Sequence, residues 1–231
     1  MGIIQGTFNQ TIQANTRFGG ALVVFEGKPE LLVGGFNFTL EDLPAPGVVL
    51  PCGTPVNCDE STRAITPLIT AKVKAIVADT DSKKITLVDN GFGATPFKVG
   101  DYIAEINDTL THEYTNTPAE GATPASYTFV KIVAVDGATI TLENTVTGLA
   151  ADDIIVQVAE NATTHKAAIK AVPNALLPYD VVRDANAVNV DGDGMWKNSR
   201  PILERRMPVV TAAIKTALEN AGCQFKWSNR K

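Results

Sequence analysis

The sequence predicts a mainly β protein, a small β-barrel or sandwich built from a duplicated β-unit with one C-terminal α-helix. Three observations predict it. The first is a β-unit written twice, over 73–106 and 130–158. Each copy opens on an apolar run with Val-Lys (Val73-Lys74; Val130-Lys131) and turns at an Asp-containing loop. Each continues as Ile-Thr-Leu (Ile85 to Leu87; Ile140 to Leu142) and ends on an apolar run preceded by an acid (Asp101; Asp153). The second is a composition of abundant Thr, Val, Ala and Asn, which suits short strands and polar turns. The third is that strand pattern follows strand pattern without intervening helices, which argues for a barrel or sandwich.

The elements follow in order. Residues 1–20 are polar, without a clear period, and read as an extended arm that orders on a partner. The β-domain is expected over 21–160. Gly20 to Phe25 and Leu31 to Phe38 flank Gly27-Lys28-Pro29, a turn signal, and read as a hairpin. Leu43 to Val48, with two prolines and a glycine, is a connector or edge strand. Leu50 to Val56 and Ala64 to Leu68 are strands about a polar turn. The duplicated unit follows, its copies separated by Asn107 to Ser126, rich in Thr, Asn, Pro and Gly, which reads as a projecting loop. The C-terminal region, 161–231, holds the one helical pattern. It runs over 208–222: Pro208 suits a first turn, Val209, Ala213, Ile214, Ala217, Leu218 and Ala221 recur at helical spacing, and Gly222 suits a stop.

The 231 residues suit one elaborate domain or two small ones, and 45% apolar residues suffice for a core. Charged residues, at 19%, are few, which suits a protein that buries surface against partners. The net charge is −5, yet the stretch from Lys197 is basic, and the middle of the chain is correspondingly acidic. The weak aromatic interleaving around Trp227 favours a solvated or partner-facing tail over nucleic-acid binding. No stretch approaches the ~20 apolar residues of a membrane helix. The N-terminus lacks the basic and apolar regions of a secretory signal, so Cys52, Cys58 and Cys223 are expected as free thiols. Cys52 and Cys58 are near enough in sequence to approach one another.

Reactive motifs are sparse, and the expectation is a protein that is not an enzyme and needs no cofactor. Asp191 and Asp193, two apart among glycines, are the weak candidate for calcium, but the chain supplies no further acid until Glu204. His112 and His165 have no ligand at a zinc-like spacing. Cys52 lies between Pro51 and Gly53, which is turn chemistry, and Gly91-Phe92-Gly93 lacks the third glycine of a dinucleotide loop.

The segment Leu50-Pro51-Cys52-Gly53-Thr54-Pro55-Val56 with Ala64-Ile65-Thr66-Pro67-Leu68, the paired Val-Lys…Ile-Thr-Leu units and the polar arm together resemble tailed-bacteriophage virion proteins. The likeness is to head decoration, auxiliary capsid and head-fibre proteins, and it covers roughly 20–160. The resemblance implies a homotrimer on the major capsid protein lattice, located on the virion surface, that cements neighbouring capsid subunits. The interface residues it brings forward are Ile3, Ile4 and Phe8 of the arm, Trp196 and Trp227 as aromatic anchors, and Arg205 and Arg206. The alternative is a head fibre whose 107–126 loop touches a host-surface glycan or receptor.

Overall fold

The computed structural model describes residues 24–25, 27–77, 83–116 and 127–228. In chain order the strands are β1 (Pro29–Leu31), β2 (Phe36–Phe38), β3 (Val49–Leu50), β4 (Pro55–Asp59), β5 (Ala64–Pro67), β6 (Thr70–Ile76), β7 (Lys84–Leu87), β8 (Tyr102–Glu105), β9 (Glu113–Thr115) and β10 (Phe129–Asp136). They continue as β11 (Thr139–Leu142), β12 (Ile154–Asn161), β13 (Lys166–Ile169), β14 (Ala175–Leu176), β15 (Val181–Val182), β16 (Val190–Gly192), β17 (Met195–Asn198), β18 (Ile202–Leu203) and β19 (Trp227–Ser228). Among the described residues one α-helix, α1 (Ala212–Asn220), lies near the C-terminus.

Strands β6-β7-β11-β10-β8-β12 form a ring that the β12–β6 pairing closes, so the duplicated unit is a six-stranded barrel. Closure removes the unpaired edges an open sheet would expose. Each copy supplies three strands, and a pseudo-two-fold axis relates them. The two Ile-Thr-Leu segments pair with each other, Ile85 opposite Ile140, with Thr139 opposite Thr86 and Thr141 opposite Lys84. Across the barrel, Ala104 faces Val156, Glu105 faces Ile155 and Gln157 faces Ile103. Both pairings are symmetric about their centres, as an exact exchange of the copies requires.

The symmetry extends to single hydrogen bonds. Val88 N donates to Lys72 O, and Glu143 N donates to Lys131 O. The Asp101 carboxylate accepts from Lys98 N at 2.9 Å, and that of Asp153 from Ala150 N at 2.6 Å. Each acid therefore caps the turn into its copy's last strand, a local bond that Asp readily makes. The residue before each acid has positive φ: Gly100 at 95° and Asp152 at 76°. This register corrects the alignment of the copies. Lys72-Val73 corresponds to Lys131-Ile132, each followed by a bulge, so the Val-Lys pairs at 73 and 130 are offset by two residues. A shift of two keeps every side chain on its face, which is why both alignments look apolar at the right places.

Strand β12 is long enough to serve twice. Its first half closes the barrel on β6, and its second half pairs with β13, which carries β9. The supposed projecting loop after 107 thus begins as part of the sheet. Asn116 Nδ2 donates to Phe129 O, and Thr128 N donates to Asn116 Oδ1, so Asn116 is held against the start of β10.

The other sheet runs β1-β17-β14-β4-β5-β2-β16 and curls as a half-barrel. Its strands come from both sides of the barrel segment. Residues after 161 supply β14, β16 and β17, so the C-terminal region is interleaved with the N-terminal strands and does not stand apart. Phe36, Phe38, Val56 and Ile65 of this sheet share a core with barrel residues Val73, Ile85, Ile103, Ile132, Ile140 and Ile155. The opposite face of β8 and β12, with Ala104, Val156 and Val158, packs with Ile214 and Leu218 of α1.

The helix is shorter than its apolar period suggested. It begins at Ala212, not at Pro208, because the Thr211 side chain accepts from Ile214 N and caps it there. Val209, ahead of the cap, instead takes the Thr70 hydroxyl on its carbonyl at 2.7 Å. Gly222, at φ 89°, follows the helix end, as expected.

Candidate interaction surface

The C-terminal stretch folds so that its aromatic and basic residues meet. Phe25 bridges to Ile202 of β18, β18 pairs in parallel with β19, and Lys197 bridges to Gln224. Trp196 of β17, whose carbonyl accepts from Gln224 N at 2.8 Å, and Trp227 of β19 are therefore both tied to the short segment 224–228. Both are half-buried, packed with Phe225 on the core beneath α1. Phe225 meets Trp227 edge-on at 5.7 Å. Each indole carries a lysine: Lys197 Nζ lies 5.5 Å from the Trp196 ring, and Lys215 Nζ lies 5.0 Å from that of Trp227. Such pairs contribute roughly 0.5–1 kcal/mol when exposed. The Trp227 Nε1 is buried and has no hydrogen-bond partner among the described residues. Both tryptophans are thus packing residues first, with part of each ring left outward.

Arg205 and Arg206 sit on a 3-10 turn, Glu204–Arg206, leading towards the helix. Arg205 is exposed and Arg206 half-buried. Their neighbour Glu204 pairs with Lys215 at 2.7 Å. Between β17 and segment 224–226 runs a groove of about 340 Å³, lined by Lys197, Asn198, Ser199, Gln224, Phe225 and Lys226. Ile3, Ile4 and Phe8 lie outside the described residues.

The remaining candidates have structural partners. Asp193 accepts from the Tyr179 hydroxyl at 2.8 Å, and burial together with this bond pushes the Tyr179 phenol up. Asp191 is exposed and accepts from the Asn189 amide. Among the described residues, no three His, Cys, Asp or Glu side chains converge on a metal position. The three cysteines are free thiols. Burial pushes Cys58 up to about 12, helped by the Asp193 charge, and Cys223 up to about 11. A thiol so displaced is a poor nucleophile at neutral pH. Among the described residues, no helix is long and apolar enough to cross a membrane.

Sequence reasoning missed a cation clamp on residues 40–44. Arg183 donates to Leu40 O (3.0 Å) and Pro44 O (2.8 Å). Lys98 donates to Leu43 O (3.0 Å) and to Glu41 O, and Lys170 pairs with Asp42 at 2.5 Å. Burial holds the Lys98 ammonium below its ordinary range, against the opposing pull of Asp101. The clamp ties the barrel's β7–β8 connection to the connector after β2. Lys98, Lys170 and Arg183 share no motif, so only the fold brings them together. Comparison with protein-family models, curated proteins and solved structures found no match for the chain.

Proposed function

We propose that the protein is a structural component of a tailed-bacteriophage virion, bound to the major capsid protein lattice as a decoration or auxiliary protein. The observation that carries the reading is the use made of the duplication. Both copies are spent on one closed, mutually hydrogen-bonded barrel, with their paired acids serving as turn caps. A rigid body of this kind suits a part that must hold its shape while gripping neighbours. Grip would then come from the arm residues Ile3, Ile4 and Phe8 and from Trp196, Trp227, Arg205 and Arg206 of the C-terminal region. Contacts of roughly 800 Å² per partner, repeated over a lattice, are enough for tight cementing.

The test is co-sedimentation of the purified protein with empty heads of a tailed phage. Saturable binding with a fixed ratio to the capsid subunit is the expected result, weakened when Arg205 and Arg206 are both changed to Glu. No binding to heads would remove the reading. The hydrogen bonds that hold Asn116 against Thr128 and Phe129 favour a second reading, a head fibre whose 107–126 segment touches a host-surface glycan or receptor. Binding of the isolated protein to host cells, lost when residues 117–126 are replaced by a short Gly-Ser linker, would favour that role.

A further inference from the structure

We infer that two copies of this chain join by seating the acidic 184–191 loop of one in the basic groove beside Phe225 of the next. The charge is sharply divided along the sequence. Residues 196–231 carry eight Lys and Arg against two acids, net +6, while residues 1–195 carry net −11. Locally, the 184–191 loop presents Asp184 and Asp191 while the groove is lined by Lys197 and Lys226, and such opposite charges attract between copies and steer their encounter.

The acidic side is a preformed knob. Arg183 roots it by donating to Leu40 O and Pro44 O. Asp184 Oδ1 then accepts from Asn186 N at 2.9 Å, and Ala187 N donates to Asp184 O, closing a turn. At its tip Val188 is 93% exposed, more than any other large apolar residue among those described. Asp184 and Asp191, both exposed, flank it. β16, which follows, is an outermost strand of its sheet, so the knob has open space around it. A lone valine held out by an anchored turn costs little entropy to bury, because its backbone is already ordered.

The basic side is the groove described above. Lys226 and Lys197 stand at its rim, and Phe225 supplies an apolar wall. Lys197 also pairs with Glu30 at 2.8 Å, so Lys226 is the principal contact offered to an incoming carboxylate. A contact between two different patches of one chain is head-to-tail, and it closes into a ring when the rotation allows. The inference therefore deepens the proposed virion role by supplying a contact for the expected trimer, and it rests on that role only for the ring's purpose.

The experiment is light scattering on the full chain at about 50 mM salt, where charge contacts are little screened, over concentrations up to about 200 μM. Wild type, Asp184→Lys, Lys226→Glu and the double variant are compared, with circular dichroism as the check on folding. Each single reversal is expected to raise the dissociation constant by at least about tenfold, and the double variant to recover association. A wild-type chain that stays monomeric throughout would overturn the inference. So would single variants that associate like wild type, or a double variant that does not recover. Co-sedimentation with heads is read separately, so loss of self-association and loss of the capsid role are told apart.

Discussion

If the barrel is two copies exchanged by one axis, residues paired across that axis must cost the same when truncated. Ile85 and Ile140 are the strictest case, because they face each other in β7 and β11 and are 2% and 0% exposed. Truncation to Ala removes three carbons from either side chain, worth about 2.4 kcal/mol at about 0.8 kcal/mol per buried carbon. The cavity left in a closed barrel adds to this, so each variant is expected to lose about 3–4 kcal/mol. For a chain of this length about 1 kcal/mol moves Tm by about 2 °C, and each variant should melt about 6–8 °C below wild type. Urea unfolding of both single variants and the double variant is the assay. The single costs should agree within about 0.5 kcal/mol, and the double should fall short of their sum, since the residues share one space. A difference above about 1.5 kcal/mol between the two singles, or strict additivity, would refute the symmetric core.

Four further outcomes follow from named contacts. Gln157 and Glu105 occupy equivalent places, but Gln157 bonds to Asp101, whereas Glu105 faces the Asp153 charge and is pushed up, mainly by burial. A raised carboxyl binds its proton more readily folded than unfolded, so Glu105 lowers stability as pH rises through its titration range. Glu105→Gln should therefore stabilise the protein at pH ~7 and do little below pH ~3, where the Glu105 carboxyl is protonated both folded and unfolded, as read by thermal melts at both pH values. Gly53→Ala should cost at least about 1 kcal/mol, because Gly53 has φ 84° and a Cβ there would come within 2.7 Å of Met207 Cβ; a neutral effect in urea would deny the close approach. Thr211→Ala should cost about 1 kcal/mol by removing the cap of α1, with recovery in Thr211→Ser, measured by urea unfolding. Lys98→Met should cost about 1–3 kcal/mol by stripping the donor from the buried Leu43 carbonyl, and hydrogen exchange should quicken across 39–48 but not in β7 or β11.

How much of this was open to sequence reading depends on the range of the interaction. The duplication, the Ile-Thr-Leu strands and the acids before the last strand of each copy were legible because a strand pattern and a turn cap are local. The pairing of the copies was half legible: Ile85 and Ile140 declare their likeness, but only the closed ring makes them face each other. The two-residue offset between the copies was invisible for a physical reason. A period-2 pattern repeats itself at that shift, and the bulges that set the true register, after Val73 and Ile132, leave no mark in composition. The helix start failed differently, since apolar spacing at Val209 continued past the point where the Thr211 side chain ends the helix.

The second sheet and the clamp were beyond reach because they are built from separated segments. β2 and β5 pair in parallel, and β14 and β17 enter from the far side of the barrel. A chain that leaves a sheet, builds a closed barrel and then returns must fix the two bodies by side chains, because no ladder crosses between them in the described strands. The clamp does this with three cations on five consecutive residues, and the shared core of Phe36, Ile65, Ile103 and Ile155 does it without charge. Lys98 and Lys170, which tie segments next to barrel strands to this connector, and Arg183, which braces the connector itself, look in sequence like ordinary surface charges. Arg183 gains a second role from the same placement. By rooting the 184–191 turn in the clamp, it makes the rigidity of the interior available to the contact inferred for the outside.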